Sequence, residues 1–195
     1  MIAQGAEAML RREGDALVKE RIKKGYRIAE IDERLRKKRT KSEANILRAA
    51  RRIINVPQVI AEGNYEIKME FIGGELVKEV LNENNCIEIS EKIAIAVARL
   101  HSYDIVHGDL TTSNMILKKN DLYFIDFGLA FFSKRTEDKA IDLHLLHEAL
   151  ESTHFAVLDD AWKTILKVYS EEYSEAGKVI KTLSEIEKRG RYRER

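Results

Sequence analysis

Hydrophobic residues change their spacing along this chain of 195 residues, and the change divides the chain into two parts. In the first third, short apolar runs stand between turns that contain glycine, a pattern typical of β-strands. From residue 76 onward, apolar residues recur three and four positions apart, as they do on amphipathic helices. The pattern therefore predicts an α+β fold, rich in strands at first and mainly helical afterwards. The predicted strands cover residues 1–4, 8–12, 16–22, 58–61 and 65–70.

One helix is predicted inside the strand-rich part, over residues 42–54. Ser42 is a suitable N-cap for it. Its apolar stripe comprises Ile46, Leu47, Ala50, Ile53 and Ile54. Glu43 lies in the first turn, where its carboxylate either complements the helix dipole or pairs with a lysine of the sheet. Lys19 on the third strand is the candidate for that lysine, and Glu33 is the weaker alternative to Glu43.

Five apolar stripes are predicted to form the helical core of the second part, and none of them has the composition of a cofactor-binding motif. The stripes fall within residues 76–81, 89–100, 141–150, 157–169 and 179–186. In the third stripe the predicted core residues are Ile141, Leu145, Leu146, Ala149 and Leu150.

Two polar motifs, separated by a predicted hairpin, carry the candidate chemistry. The first, over residues 107–114, reads His-Gly-Asp-Leu-Thr-Thr-Ser-Asn, and the second is Asp-Phe-Gly at 126–128. Because Asn114 enters one strand of the hairpin and Asp126 leaves the other, both lie at the same open end. Their oxygens suit Mg²⁺, and Asp109 is placed to accept a proton or orient a nucleophile. A lone Asp-Phe-Gly would indicate an ordinary turn, but both motifs at this spacing predict a nucleotide site.

Three other segments are predicted to contact the nucleotide. Lys19 can reach the α and β phosphates of ATP, although a surface lysine on an edge strand is its simpler interpretation. The first turn can cover phosphates with backbone N–H groups, and a later extended segment can present backbone groups to the base. The turn consists of Gly5, Ala6, Glu7 and Ala8, and the extended segment of Met69, Glu70, Phe71 and Ile72.

Composition excludes some classes of protein. Hydrophobic residues make up 44% of the chain, which permits a substantial core, and the single cysteine, Cys86, excludes an internal disulfide. No apolar run approaches the length of a membrane span, and the N-terminus lacks a signal-peptide pattern. We therefore expect a cytoplasmic protein without a membrane interaction.

The near-neutral net charge of +1 hides two basic regions. Residues 19–52 hold fourteen Lys or Arg against five Asp or Glu, and residues 34–41 hold six basic residues in eight. The last eight residues, 188–195, hold five Lys or Arg and one Glu. Either region binds polyanions or is a solvated surface, and for the tail the alternatives are RNA contact and a disordered solubilising segment.

The order of these motifs resembles that of the protein-kinase fold. More narrowly, further segments are similar to the small atypical kinase/ATPase subunit of the archaeal KEOPS (EKC) complex. The kinase-like elements are Lys19, Glu43, residues 69–74, residues 107–114 and residues 126–128. The narrower matches are residues 4–8, 18–21, 24–27, 39–44 and 152–154.

The resemblance implies a minimal bilobal fold with an N-lobe over 1–72, a C-lobe over 73–187 and a basic tail over 188–195. It also implies ATP and Mg²⁺ as cofactors, with Lys19 and Asp109 as catalytic residues. The family's complex makes threonylcarbamoyladenosine in tRNA. Three partners are expected: the carbamoyl-transferase subunit of the complex, a small subunit at the N-lobe, and tRNA through the basic tail. In some archaea the transferase and the kinase are fused in one chain. Asp142 resembles the aspartate that braces the catalytic loop, with a helix N-terminal charge as the alternative.

Departures from regulated protein kinases leave three functions open. Gly108 replaces the arginine that would pair with a phosphorylated activation loop, and only about fifteen residues separate Gly128 from the next helical pattern. A KEOPS ATPase or Ser/Thr kinase is the first hypothesis, with water or a hydroxyl as the nucleophile. The others are a free-standing RIO-like Ser/Thr kinase and a non-catalytic ATP-binding scaffold.

Overall fold

A computed structural model describes residues 3–4 and 7–193, and the side chains of residues 7–189. The N-terminal part is a five-stranded antiparallel sheet with strand order β1-β2-β3-β5-β4. Its strands are β1 (Ala3–Gln4), β2 (Ala8–Glu13), β3 (Ala16–Arg21), β4 (Val59–Glu62) and β5 (Glu66–Glu70). Because side chains alternate along a strand, Leu17, Lys19 and Arg21 of β3 lie on one face of this sheet.

Helix α1 (Ala29–Ala50) packs against the sheet and is much longer than predicted. The prediction of a helix starting at Ser42 is wrong, because Ser42 lies in the middle of α1 and is exposed. Strong helix formers and two i,i+4 ion pairs support the additional turns. These pairs join Asp32 to Arg36 and Glu33 to Lys37, each at 2.7 Å.

Four helices form most of the C-terminal part: α3 (Cys86–Ser102), α4 (Thr136–Thr153), α5 (Leu158–Glu172) and α6 (Ala176–Arg193). The predicted stripe of α3 is buried and packs against α5, whose Ala161, Ile165 and Tyr169 are also fully buried. Each large aliphatic side chain buried here contributes about 1.5–3 kcal/mol by its removal from water. The stripe of α3 comprises Ile89, Ile93, Val97 and Leu100.

Short strands connect these helices to the sheet. The predicted hairpin is confirmed as β8 (Met115–Lys118) and β9 (Asp121–Phe124), with β6 (Glu75–Leu76) paired to β8. The pairing of β6 limits the first predicted helical stripe to one turn, α2 (Val77–Val80). A second pair joins β7 (Ile105–Val106) to β10 (Phe131–Phe132), and 3₁₀ turns cover Thr112–Asn114 and Phe155–Val157.

Helix α4 differs from its prediction in position and in phase. It begins at Thr136, eight residues after Gly128 rather than about fifteen. Ile141, predicted to lie in the core, is 42% exposed. Leu146 and Leu150 are buried as predicted, and Ala140 and Leu143, which were not predicted, complete the buried face. Apolar residues of α4 itself lie on most sides of the helix, so their spacing allowed two choices for the face that is buried.

Two further expectations concern the whole chain. Cys86 is buried and free, and no helix in the described ranges combines the length and apolar character that crossing a bilayer requires. The division into lobes at residues 72 and 73 stays a prediction.

His154 allows a prediction about the pH dependence of stability. Its Nε2 atom lies 3.0 Å from the Thr112 hydroxyl in a buried position, and burial, together with the nearby Lys78 ammonium, lowers the pKa of His154 from its ordinary 6.5. Below about pH 6.5 the unfolded chain therefore binds a proton that the folded chain does not, so the free energy of unfolding falls as the pH falls.

We expect His154→Gln, which does not titrate, to weaken this dependence between pH 7.5 and 5.5. Denaturant titrations of both proteins at matched ionic strength measure the effect. Parallel curves for the two proteins would contradict the assignment to His154.

Candidate active site

The centre of the site is a lysine held by two carboxylates from distant parts of the chain. Lys19 Nζ donates to Glu43 Oε1 at 2.7 Å and to Asp126 Oδ1 at 2.6 Å. The Lys19 side chain is 11% exposed and that of Glu43 is 1% exposed, whereas Asp126 is 49% exposed. The predicted pairing of Lys19 with Glu43 is thus present, and the contact with Asp126 was not predicted. One ammonium therefore links the sheet, α1 and the Asp-Phe-Gly segment.

Burial and charge act in opposite directions on these groups. Burial disfavours the charge on Lys19, but the carboxylates of Glu43 and Asp126 outweigh it and raise the pKa of Lys19. Burial likewise opposes the charge on Asp126, yet the nearby Lys19 ammonium lowers the pKa of Asp126. Both groups are therefore charged at neutral pH.

Arg21 completes this charge cluster, and the sequence analysis missed it. Its guanidinium is 6% exposed and donates to Glu43 Oε2, the carboxylate oxygen that Lys19 does not use. The signal was available in the sequence, because a residue two positions after Lys19 on a strand points to the same side. Glu43 thus accepts one hydrogen bond on each oxygen from two cations of β3.

The loop over residues 107–114 is braced by one carboxylate. Asp142 accepts hydrogen bonds from the backbone N–H groups of His107 and Gly108, both at 2.8 Å, and lies 3.2 Å from His101 Nε2. Because α4 begins at Thr136, Asp142 lies beyond its first turn. The bracing interpretation is therefore confirmed over that of a helix N-terminal charge.

Gly108 occupies a position that a side chain cannot share. Its φ is +76°, and an added Cβ would lie 2.6 Å from the carbonyl oxygen of Leu129. An arginine at this position would require the loop to move. The replacement of the kinase arginine by Gly108 is thus built into the backbone here.

Asp109, Asn114 and Asp126 are brought together by the hairpin register. Asn114 Nδ2 donates to the Asp109 carboxylate at 2.8 Å and to its backbone oxygen at 2.9 Å. The Asn114 carbonyl oxygen accepts from Ile125 N–H at 2.9 Å, which fixes Asp126 beside the start of β8. Asp126 itself has a φ of +59° and accepts from Gly128 N–H at 3.1 Å.

His107 packs inside the loop, as predicted. Its ring lies against Phe127, with 4.7 Å between ring centroids, and its Nε2 atom is 3.2 Å from the Ile125 carbonyl oxygen. Burial lowers the pKa of His107, so the ring is neutral at physiological pH.

A cavity of about 320 Å³ opens beside the charge cluster. Apolar side chains form most of its wall, while Lys19, Glu43, Asn114 and Asp126 lie at its polar side. The rest of the wall, which contains the segment over residues 69–72, includes Leu10, Leu17, Leu47, Pro57, Met69, Glu70, Phe71, Ile72, Ile116 and Ile125. Such a cavity matches the dimensions of small-molecule sites.

Not every predicted contact lines this cavity. Asp109 is not part of the lining, but its carboxylate accepts a hydrogen bond from Asn114, which is. Glu7 is paired with Arg39 at 2.7 Å, and Ala8 is buried in the sheet. Gly5 and Ala6 lie outside the described residues. Contact of this first turn with a nucleotide stays a prediction.

The extended segment over residues 69–72 has few free backbone groups. Glu70 N–H donates to the Gln58 carbonyl at 2.8 Å, and Phe71 N–H donates to the Asp15 carbonyl at 2.9 Å. Ile72 N–H has no hydrogen bond within the described part of the chain. A base entering the cavity would therefore use Ile72 as its backbone donor.

The oxygens at the polar side fit a magnesium ion that is shared with phosphates. Within the described residues, no cluster of three or more His, Cys, Asp or Glu could hold a metal by itself. The Asp126 carboxylate and the Asn114 amide are hard oxygen donors, and Mg²⁺ commonly combines one or two such ligands with substrate phosphates. The donor set thus suits a metal that arrives with a nucleotide.

Comparison with known proteins shows the family to which this chain is related. Residues 11–143 match the model of the RIO domain family. The KEOPS complex subunit Bud32 of Pyrococcus abyssi is 48% identical over 187 residues, which cover 92% of this chain and 85% of that subunit. A probable bifunctional tRNA threonylcarbamoyladenosine biosynthesis protein of Methanocaldococcus jannaschii is 40% identical over 98% of this chain. This chain spans only 37% of that protein's length.

A solved structure confirms the fold. The Rio2 kinase–ADP/Mg²⁺–phosphoaspartate complex from Chaetomium thermophilum superposes with a TM-score of 0.64 at 17% identity, over 100% of this chain and 71% of that one. The predicted protein-kinase-like α+β fold is therefore correct.

Replacing Arg21 tests the charge cluster. We expect Arg21→Met to lower the free energy of unfolding by about 1–3 kcal/mol, because a buried carboxylate oxygen of Glu43 loses its donor. Arg21→Lys should restore part of the loss, since a shorter cation still faces Glu43. Guanidinium chloride titrations at pH 7 measure both variants. Equal stability of wild type and Arg21→Met would show that Glu43 does not depend on this contact.

Replacing Asp142 tests the brace. Asp142→Asn keeps the shape but points an NH₂ group at one backbone N–H, and we expect a loss of about 1–3 kcal/mol in unfolding free energy. The matched control is Glu171→Gln, which removes a carboxylate from an exposed position of α5. A loss no larger than that of the control would contradict the bracing role.

Proposed function

We propose that this chain, which belongs to the RIO domain family and to the group of the KEOPS complex subunit Bud32, binds Mg-ATP and transfers its terminal phosphate. The observation that carries the proposal is the position of Lys19 between Glu43 and Asp126, at the polar side of the cavity. Phosphoryl transfer is catalysed mainly by positioning and by neutralising charge, and this cluster supplies the groups for both.

Each group has a definite part in the proposal. An ammonium has three donors, and Lys19 uses one for Glu43 and one for Asp126, which leaves one for a phosphate oxygen. Asp126 and Asn114 would hold Mg²⁺, which when bound neutralises charge on the phosphates. The Rio2 kinase named above was solved with ADP and Mg²⁺.

Asp109 would orient the nucleophile. Two hydrogen bonds from the Asn114 amide fix its carboxylate and backbone, so the group is preorganised rather than free to rotate. Water as the nucleophile would make the protein an ATPase, and a Ser or Thr hydroxyl would make it a protein kinase. Only seven residues lie between Gly128 and α4, which leaves little platform for a peptide substrate and favours hydrolysis or autophosphorylation.

The biological setting in the proposal comes from the relatives. Their names refer to the KEOPS complex and to tRNA threonylcarbamoyladenosine biosynthesis. We therefore infer that this chain supports that tRNA modification in the cytoplasm, together with a carbamoyl-transferase subunit and a small subunit at the N-terminal sheet. Contact of residues 188–195 with tRNA belongs to the same proposal. The transferase is a separate chain or part of the same one.

Replacing Asp109 separates chemistry from binding. We expect Asp109→Ala to reduce ATP turnover by about 10²–10⁴-fold, while titration calorimetry with Mg-ATP still records binding. Lys19→Ala should weaken both, because the phosphates lose their cation and Glu43 loses a partner. Glu171→Gln serves as the exposed control and should behave as wild type.

Wild-type hydrolysis and autophosphorylation by Asp109→Ala would refute the assigned role. Measuring ATP consumption with and without the transferase subunit and tRNA separates the remaining alternatives. Stimulation of ATP consumption by the transferase subunit and tRNA indicates the KEOPS function. Phosphate transfer to an acceptor in their absence indicates a free-standing RIO-like kinase. ATP binding without turnover indicates a scaffold.

A further inference from the structure

Helix α1 has one fully exposed face, and basic residues dominate it. Residues at positions 34, 38, 41 and 48 share one side of an α-helix, because their intervals are three, four and seven. Position 52, in the turn after the helix, continues the line. We call these exposed residues the basic stripe: Arg34, Lys38, Lys41, Arg48 and Arg52. From Arg34 to Arg48 the stripe is roughly 21 Å long at 1.5 Å per residue.

The stripe is not neutralised by acidic neighbours. Within the described residues, only Arg48 of the stripe forms an ion pair, with Glu62 at 2.7 Å. The basic residues that flank the stripe within α1 behave differently, since each has a carboxylate partner, whereas Arg51, just past the helix, donates to the Val56 carbonyl oxygen at 3.2 Å. The flanking pairs are Arg36 with Asp32, Lys37 with Glu33, and Arg39 with Glu7. Helix faces that are merely solvated usually mix both signs of charge, so this separation of paired and unpaired cations points to an anionic ligand.

The surface chemistry favours nucleic acid over protein as that ligand. Between Arg34 and Arg52 the other residue in the line is Asn45, which is exposed and polar. Protein interfaces have an apolar or aromatic core, and this face has none between Arg34 and Arg52, although the exposed Ile31 lies one turn before the stripe. Protein–nucleic acid interfaces are more polar and much more positively charged.

The positive surface continues past the helix. Arg52 and Arg99 line a second cavity of about 440 Å³, between the end of α1, α3 and the turn of the β8–β9 hairpin. Neither guanidinium has a hydrogen-bond or ion-pair partner in the described part of the chain. The basic stripe thus leads into a recess where further phosphates can be contacted.

We propose that the basic stripe binds the phosphate backbone of RNA. Stripe residues three or four positions apart are about 4.5–6 Å apart along the helix axis, and Lys41 and Arg48, with Asn45 between them, are about 10.5 Å apart. The shorter spacing is comparable with that of consecutive phosphates on one strand. The choice of RNA rests on the proposed function, whereas the anion-binding surface stands on its own geometry. Glu43 lies nine residues from Arg34, on the opposite side of α1, so RNA at the stripe leaves the nucleotide cavity free.

A charge-removal series tests this surface. We expect the triple variant Arg34→Gln, Lys38→Gln and Lys41→Gln to raise the Kd for a fluorescently labelled unmodified tRNA transcript about tenfold or more at 100 mM salt. The slope of log K against log salt should fall by about 2, since each lost phosphate contact removes roughly 0.7–0.9. Anisotropy titrations at several salt concentrations measure both quantities.

Two control variants separate position from charge. The first control is a triple variant that removes the same charge from exposed positions of α5 and α6: Lys163→Gln, Lys167→Gln and Lys181→Gln. It should change the Kd for the transcript less than threefold. The second control is a triple variant that keeps every charge of the stripe positions: Arg34→Lys, Lys38→Arg and Lys41→Arg. It should keep the affinity for the transcript. Melting temperatures confirm that every variant is folded.

Some outcomes would overturn the proposal. One is an unchanged Kd in the stripe variant, and another is an equal loss in the stripe variant and the α5–α6 control. A third is unchanged RNA binding with lost binding of the purified transferase subunit, which would assign the stripe to a protein partner. ATP hydrolysis without RNA is measured in parallel: the stripe variant should keep it, and Lys19→Ala should lose it while keeping RNA affinity. The two proposals therefore fail separately.

Discussion

The buried Glu43 carboxylate is the interaction on which the rest of the site depends. Its two oxygens accept from Lys19 and Arg21, and Lys19 in turn holds Asp126. At 1% exposure, a carboxylate without these partners would be strongly destabilising. The sheet, α1 and the start of the C-terminal part are therefore fixed relative to one another by charge as well as by apolar packing.

The motif spacing was a good guide to this geometry because local rules govern it. A hairpin with a short turn has only a few registers, so Asn114 and Asp126 had to emerge at the same end. The pairing of Lys19 with Glu43 was predicted because a lysine that contacts phosphates needs a carboxylate to hold it in place. Arg21 could have been found from the alternation of side chains along the strand, which puts it on the same face as Lys19.

Other features depended on contacts that sequence periodicity does not report. The first half of α1 is stabilised by ion pairs and helix propensity, with Asp32 buried, so it has no simple apolar stripe. The phase of α4 was ambiguous because apolar residues lie on several sides of it. The backbone constraint at Gly108 depends on the carbonyl of Leu129, twenty-one positions away, and only the folded structure reveals it.

The energetics of buried charge bear on whether the cluster is structural or functional. Replacing a buried ion pair by apolar side chains of similar size is often neutral or stabilising. Four charged groups would therefore be a poor choice if their only task were to join the sheet to α1. In the proposed reaction the same groups would be useful to a triphosphate and a divalent cation, because fixed charges need no reorganisation during phosphoryl transfer. Asp126, half exposed and held in a left-handed conformation by Gly128, is the member free enough to exchange Lys19 for a metal. The cost of keeping these charges buried therefore supports the proposed phosphoryl transfer over a purely scaffolding role.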